Sequence, residues 1–168
     1  MQNIKNKSTS QNGFTLLEVM IAMVIFAVGM LGLAGIQGLS LENSHSSYTR
    51  SQAILLAYDI VDRMKANPEA GTDYEIAVGT NATTPTVYCD VATCTVAQMV
   101  VYDHWVWKNA LPSLLLSGQG QIENTAGDSY TITVHWDEDR TGVTGTDCTD
   151  SVPGSANDLR CFQLVTQL

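Results

Sequence analysis

Basic residues are scarce in this sequence. Its 168 positions hold 8 lysines and arginines against 17 aspartates and glutamates, a formal net charge of -9. No basic patch lies beyond the first dozen residues, which excludes binding driven by nucleic-acid phosphates; so acidic a surface serves solubility first and names no partner. Histidine is scarce as well. His45, His104 and His135 come without any serine or cysteine motif, so nothing selects a catalytic triad and the chain reads as a non-enzyme. His45 is expected on the exposed part of a long helix and His135 on the outward face of a strand. Internal repeats and low-complexity tracts are absent. An ordinary secretory signal is missing too: residues 1–12, MQNIKNKSTSQN, are polar and carry Lys5 and Lys7, with no apolar segment ahead of a cleavage site.

What the sequence does contain is concentrated just after that leader. Val19 to Ile36 are 18 successive uncharged positions, the length at which an apolar run can cross a membrane. The run follows the candidate cleavage site at Gly13, so a cut between Gly13 and Phe14 leaves the hydrophobic helix on the mature chain. Lys5 and Lys7 precede it and the next basic residue is Arg50, which places residues 1–13 in the cytoplasm and the bulk of the chain outside it. Glu18 sits near the start of the run. A carboxylate in a membrane segment costs about 2.5 to 3.5 kcal/mol at the centre and less toward the end. The positive end of the helix dipole offsets only about 0.3 to 1 kcal/mol, so Glu18 still calls for a partner cation.

Four cysteines, at 89, 94, 148 and 161, suit an exported domain with two disulfides. Three connectivities are open, and the short separations favour Cys89 with Cys94 and Cys148 with Cys161. A four-thiolate zinc site is the rival, but its spacing of two to four residues is met once at most.

Gly13, Phe14, Thr15, Leu16, Leu17 and Glu18 resemble the leader junction of type IV pilins and type II secretion pseudopilins. The resemblance implies a prepilin peptidase that cuts after Gly13, methylation of the new N-terminal Phe14, and a Glu18 that neutralises a neighbouring subunit's amine during filament assembly. It also implies a type IV pilin fold of the α+β class: a long N-terminal helix packed on a small antiparallel sheet, with an extra helix and a disulfide-closed C-terminal region. RSQAILLAYDIVDRMKANPEA and the stretch from Cys94 through Trp105 to Pro112 and Gly118 are similar to the minor pilins of the type IV pilus modification family. Membership would make the chain a structural minor pilin that primes pilus assembly and can sit at the tip. Its partners would be other minor pilins, the major pilin, the inner-membrane assembly machinery and a tip adhesin. A pseudopilin of type II secretion is the alternative, and a membrane-anchored periplasmic enzyme or ligand-binding domain stands further off. Where such pilins carry a proline, this chain has Gly35, within a series of Gly29, Gly32, Gly35 and Gly38 that suits either close helix packing or local melting.

The resulting division is a leader at 1–13, a membrane or filament-core helix at 14–41 and a periplasmic domain at 42–168. One helix is expected from about 14 to 66, with Tyr48, Ile54, Leu55, Tyr58, Val61 and Met64 as its apolar stripe and Asn67-Pro68 as its stop. A short strand is expected at Tyr74 to Val78 within a connecting loop. A second helix over about Thr95 to Leu116 is expected to break near Pro112, with Trp105 facing the core and Trp107 exposed for a partner. Strands follow at 119–123, 130–136 and 161–167, the first two joined at Gly127 and Asp128, in an antiparallel sheet with short hairpin connections.

The segment DEDRTGVTGTDCTD places Asp137, Asp139, Thr141 and Gly142 at the first positions of a calcium loop, but Cys148 stands where the bidentate glutamate belongs. No cofactor is expected. A calcium site of another kind, drawing on Asp137, Asp139, Asp147 or Asp150, is the weaker alternative to a solvated loop.

Overall fold

A computed structural model describes residues 13–148 and 158–168; Lys5, Lys7 and Asp150 lie outside them. The chain divides into two units, residues 1–43 and residues 44–168.

Helix α1, Leu16–Ala66, begins at a cap. Thr15 Oγ1 accepts a hydrogen bond from the Glu18 amide at 3.3 Å, and the Thr15 carbonyl accepts from the amides of Glu18 and Val19. A hydroxyl that satisfies an otherwise orphan donor fixes where a helix can start, so this one begins at Leu16 rather than at Phe14. In the first unit the helix runs through Gly29, Gly32, Gly35 and Gly38 without interruption.

In the second unit the buried stripe of α1 is Ala53, Leu56, Ala57, Ile60, Val61 and Met64. That is a regular i, i+3, i+4, i+7 pattern. Tyr48, Leu55 and Tyr58, expected on this stripe, are exposed instead. The two alanines explain the rotation: small residues let neighbours approach closely, and the bulkier side chains are left on the outer face. After Asn67 the chain makes a 3-10 helix at Pro68–Tyr74 that buries Ala70 and Tyr74. The strand expected at Tyr74 to Val78 is reduced to one bridge, between Ile76 and Ile122. The 3-10 turn, kinked at Gly71 with φ 49°, runs on through Tyr74 and takes the first residue of the expected strand.

Helix α2, Val96–Leu114, starts with a full capping box: Thr95 Oγ1 accepts from the Gln98 amide, and Gln98 Oε1 accepts from the Thr95 amide at 2.9 Å. Pro112 does not break it. The proline falls in the last turn, and the helix runs through it to end two residues later at Leu114. Its buried face is Val100, Asp103, Trp107 and Leu111. Trp107 is therefore the core residue and Trp105 lies at the half-buried margin, the reverse of the expectation. The polar edge of the indole decides the exchange, because Trp107 Nε1 donates to the Leu56 carbonyl at 2.9 Å inside the core. Trp105 packs edge-on against Tyr88 and stacks on Tyr102.

Strands β1 (Gln119–Ala126), β2 (Ser129–Trp136) and β3 (Arg160–Gln167) form an antiparallel sheet in the order β1-β2-β3. Gly127, at φ 57°, and Asp128 turn β1 into β2 as a two-residue hairpin. The second connection, residues 137–159, is long rather than a tight hairpin. The Cys148–Cys161 disulfide closes it, while Cys89–Cys94 closes the loop before α2. Ile122, Tyr130, Ile132, Val134 and Trp136 join the buried faces of α1 and α2 in one core, with Phe162, Leu164 and Leu168 against its edge.

Gly120 marks the tightest approach in that core. A Cβ there would overlap the Trp107 ring and Leu111 Cδ1. Gly120→Ala is expected to destabilise the protein by about 1 to 3 kcal/mol through overpacking, read as a lower urea midpoint with an unchanged slope.

Candidate filament interface and its supporting domain

Among its described residues the first unit is a helix whose side chains all lie exposed. Phe14 is 82% exposed, Leu31 74% and Leu41 72%, and every large apolar residue from Phe14 to Leu41 is exposed. The helix is long and apolar enough to cross a membrane. Burying one such side chain stabilises by about 1.5 to 3 kcal/mol, so a surface of this kind demands a non-aqueous neighbour. Glu18 occupies the first turn of α1. Phe14, Glu18, Ala22 and Phe26 follow one another at four-residue intervals and line one open groove of about 600 Å³. An acid on an otherwise apolar helix face, next to the N-terminal aromatic, has the composition of a contact surface.

The second unit is held by a polar network of which the sequence indicated only the Asp59–Arg63 pair, four residues apart on one helix, and not its extension to Asp103, Tyr74 and Asn67. Arg63 reaches Asp59 at 3.0 Å on its own helix and Asp103 at 3.1 Å on α2. Tyr74 Oη donates to Asp103 at 2.7 Å, and the Asn67 side-chain amide donates to Tyr74 Oη and to the Val96 carbonyl. Asp103 is buried, yet both carboxylate oxygens are engaged, which is what allows the charge to stay inside. Burial works against the Arg63 charge, but its bonds to Asp59 and Asp103 outweigh that and raise its pKa; burial, then Asp103, pushes Tyr74 far up. The signal was present: an aspartate at the fourth position before Trp107, on the apolar face of α2.

The histidines separate. His45 is exposed. His104 Nε2 donates to the Tyr74 carbonyl at 3.0 Å, with its ring edge-on to the Tyr74 ring. His135, expected outward, is 1% exposed. Its Nε2 donates to the Thr146 carbonyl at 3.2 Å beside Cys148 Sγ, and its Nδ1 has no partner among the described residues. The loop after β2 folds back over that strand and covers the outer face, which alternation along the strand alone could not reveal. Burial lowers the pKa of both His104 and His135.

Asp137 accepts from the amides of Gly142, at 2.8 Å, and Thr141. These bonds, Gly142 first, hold its pKa below the usual carboxylate range. The carboxylate thus closes its own loop, and Asp139 pairs with Arg160. Asp147 also has an interaction of its own, and Asp150 is outside the described residues. Among the described residues no three histidine, cysteine or acidic groups are gathered to hold a metal.

Long N-terminal helix, three-stranded antiparallel sheet, additional helix and C-terminal disulfide together make this the type IV pilin fold. Residues 8–34 match the family model of the prokaryotic N-terminal methylation motif, and residues 35–105 match the model described as type IV pilin Tt1218. The two matches meet at residue 34 and support a type IV pilin, of a class whose members are structural and non-enzymatic. They imply processing by a peptidase and assembly with other pilins, and they agree with a membrane-anchored, pilus-associated protein. No curated protein and no solved structure matches the chain significantly.

His135, which is buried, and His104, which is half-buried, set a pH dependence. Their folded pKa values lie below the unfolded value near 6.5, so the unfolded chain binds more protons, and stability is complete above that pH and lost as pH falls through it. The urea midpoint is expected to drop as pH falls below about 6.5, and His135→Gln is expected to flatten the drop.

Proposed function

We propose that this chain is a minor pilin of the type IV pilus, of the kind called PilV or type IV pilus modification protein. The observation that carries the reading is the acid in the first turn of α1, at the head of an apolar stretch whose large side chains are all exposed as far as Leu41. In this reading a prepilin peptidase cuts between Gly13 and Phe14 and the Phe14 amine is methylated. Residues 1–13 face the cytoplasm, residues 14–41 span the inner membrane, and residues 42–168 lie in the periplasm. The subunit then leaves the membrane for the filament, where its helix packs among those of the major pilin and other minor pilins. Priming of assembly and a place at the tip, beside an adhesin, are the roles that follow. The inner-membrane assembly machinery performs the transfer, and no cofactor is needed.

Glu18 has a defined task in this scheme. A carboxylate and an ammonium about 4 Å apart attract by about 4 kcal/mol at an effective dielectric of 20. A lone subunit in lipid lacks that cation at a fixed position, whereas a stack of N-termini supplies one for each acid. The asymmetry favours the assembled state and fixes the axial register of each helix.

Glu18→Ala is expected to leave leader cleavage intact and to reduce incorporation more than about tenfold, measured by immunoblot of sheared filaments at native expression. Normal piliation with E18A would remove the assembly role. Gly13→Trp is expected to leave the full-length precursor band unshifted, and normal processing of that variant would sink the junction. A secretion pseudopilin shares the N-terminal motif; a deletion strain that loses secreted hydrolases but keeps twitching motility would favour it.

A further inference from the structure

Between the bridge at Ile76 and the disulfide at Cys89, residues 79–87 read GTNATTPTV and leave regular helix and strand. Asn81-Ala82-Thr83 is the N-x-T acceptor pattern for an asparagine-linked glycan, with no proline in the middle position. Three residues alone are a common coincidence, and their placement gives them weight. Asn81 and Thr83 are both exposed. Asn67, Asn109 and Asn124 each donate a side-chain amide hydrogen bond to a carbonyl of the domain. Among the described residues neither the Asn81 amide nor the Thr83 hydroxyl has such a bond, so nothing in the fold would be lost by derivatising Asn81.

A second observation is independent of the motif. Asn81 lines a cleft of about 520 Å³ together with Thr80, Lys108, Asn109 and Gln119. Lys108 Nζ donates to the carbonyls of Ala77, at 3.2 Å, and Gly120, at 2.5 Å. An ammonium has three donors, which leaves one for the cleft. Hydroxyl, amide and ammonium groups around an open hollow match the hydroxyls of a pyranose ring, and a ring bonded to Asn81 starts at its rim. This lining differs from that of the groove formed by Thr83, Pro85, Val87, Ala97 and Val101 on the other side of the loop, which is mainly apolar.

We propose that Asn81 is a glycan attachment site and that the adjoining cleft seats the first sugar. The inference rests on the exported orientation given above. The donor is a lipid-linked glycosyl diphosphate. The bond between sugar C1 and the diphosphate oxygen breaks, a bond from C1 to Asn81 Nδ2 forms, and the lost amide proton passes to the diphosphate leaving group. Thr83 acts only in recognition of the acceptor.

The test is mass spectrometry of the full chain purified from its native host, with peptide mapping of residues 66–108, the tryptic fragment that contains Asn81. The expected result is a mass increment of at least one monosaccharide on that fragment. It is lost in Asn81→Gln and Thr83→Ala, and retained in Thr83→Ser. An increment that persists in N81Q and maps to Thr80, Thr84 or Thr86 would overturn the assignment, as would an unmodified fragment. The same sample separates the two readings. A processed chain with its cysteines oxidised but Asn81 bare refutes the glycan alone; an unprocessed chain with free thiols refutes both. Seating in the cleft is read by acetic anhydride labelling of Lys108, expected to be several-fold slower before enzymatic removal of the glycan than after it; equal rates would overturn the seat.

Discussion

An apolar helix surface in water is the constraint that orders this molecule. Among the described residues, the large apolar side chains from Phe14 to Leu41 are all exposed. No change within that helix removes the problem, because its apolar residues occur on every face. The solution lies outside the chain, in lipid or in other subunits, and the rest of the structure is built so that this demand can be met. The core of the second unit draws on α1 only from Ala53 onward, so it is complete without the exposed segment.

That core is tied by directional contacts as well as by area. Trp107 stands between the Leu56 carbonyl of α1 and Gly120 of β1, which lets three elements share one indole. The Arg63, Asp103, Tyr74 and Asn67 network does the same on the polar side, joining α1, the 3-10 helix and α2. A network with its members satisfied is costly to disturb and specifies one arrangement of helices. The two disulfides secure what these contacts do not reach: the loop ahead of α2 and the long return from β2 to β3.

Much of this was legible in the sequence, and the failures share a cause. The three strands, the Gly127-Asp128 turn, the two helices and the acid at Glu18 are written in period, in turn chemistry or in local composition. The orientation of a helix about its axis is not, where bulky apolar residues occur on more than one side. Tyr48, Leu55 and Tyr58 drew the expected stripe of α1 away from Ala53, Ala57 and Ile60, and Trp105 drew that of α2 away from Trp107. In both cases what settled the face was a partner distant in sequence, a closely approaching element or a carbonyl to receive an indole. His135 was misplaced for the related reason that a loop, and not a strand, covers it. The long helix was expected from about residue 14, yet the cap at Thr15 sets its first helical residue at Leu16.

The cap at Thr15 bears on maturation. The hydroxyl that seals the helix belongs to Thr15, and the bonds it and its carbonyl accept, from the amides of Glu18 and Val19, all lie downstream of the Gly13–Phe14 bond. Under the proposed cleavage these capping bonds stay with the mature chain, and what changes is the charge displayed ahead of them. Such a cut would act as a change of label on a helix start already made, so the same first turn could wait in one surrounding and be recognised in another.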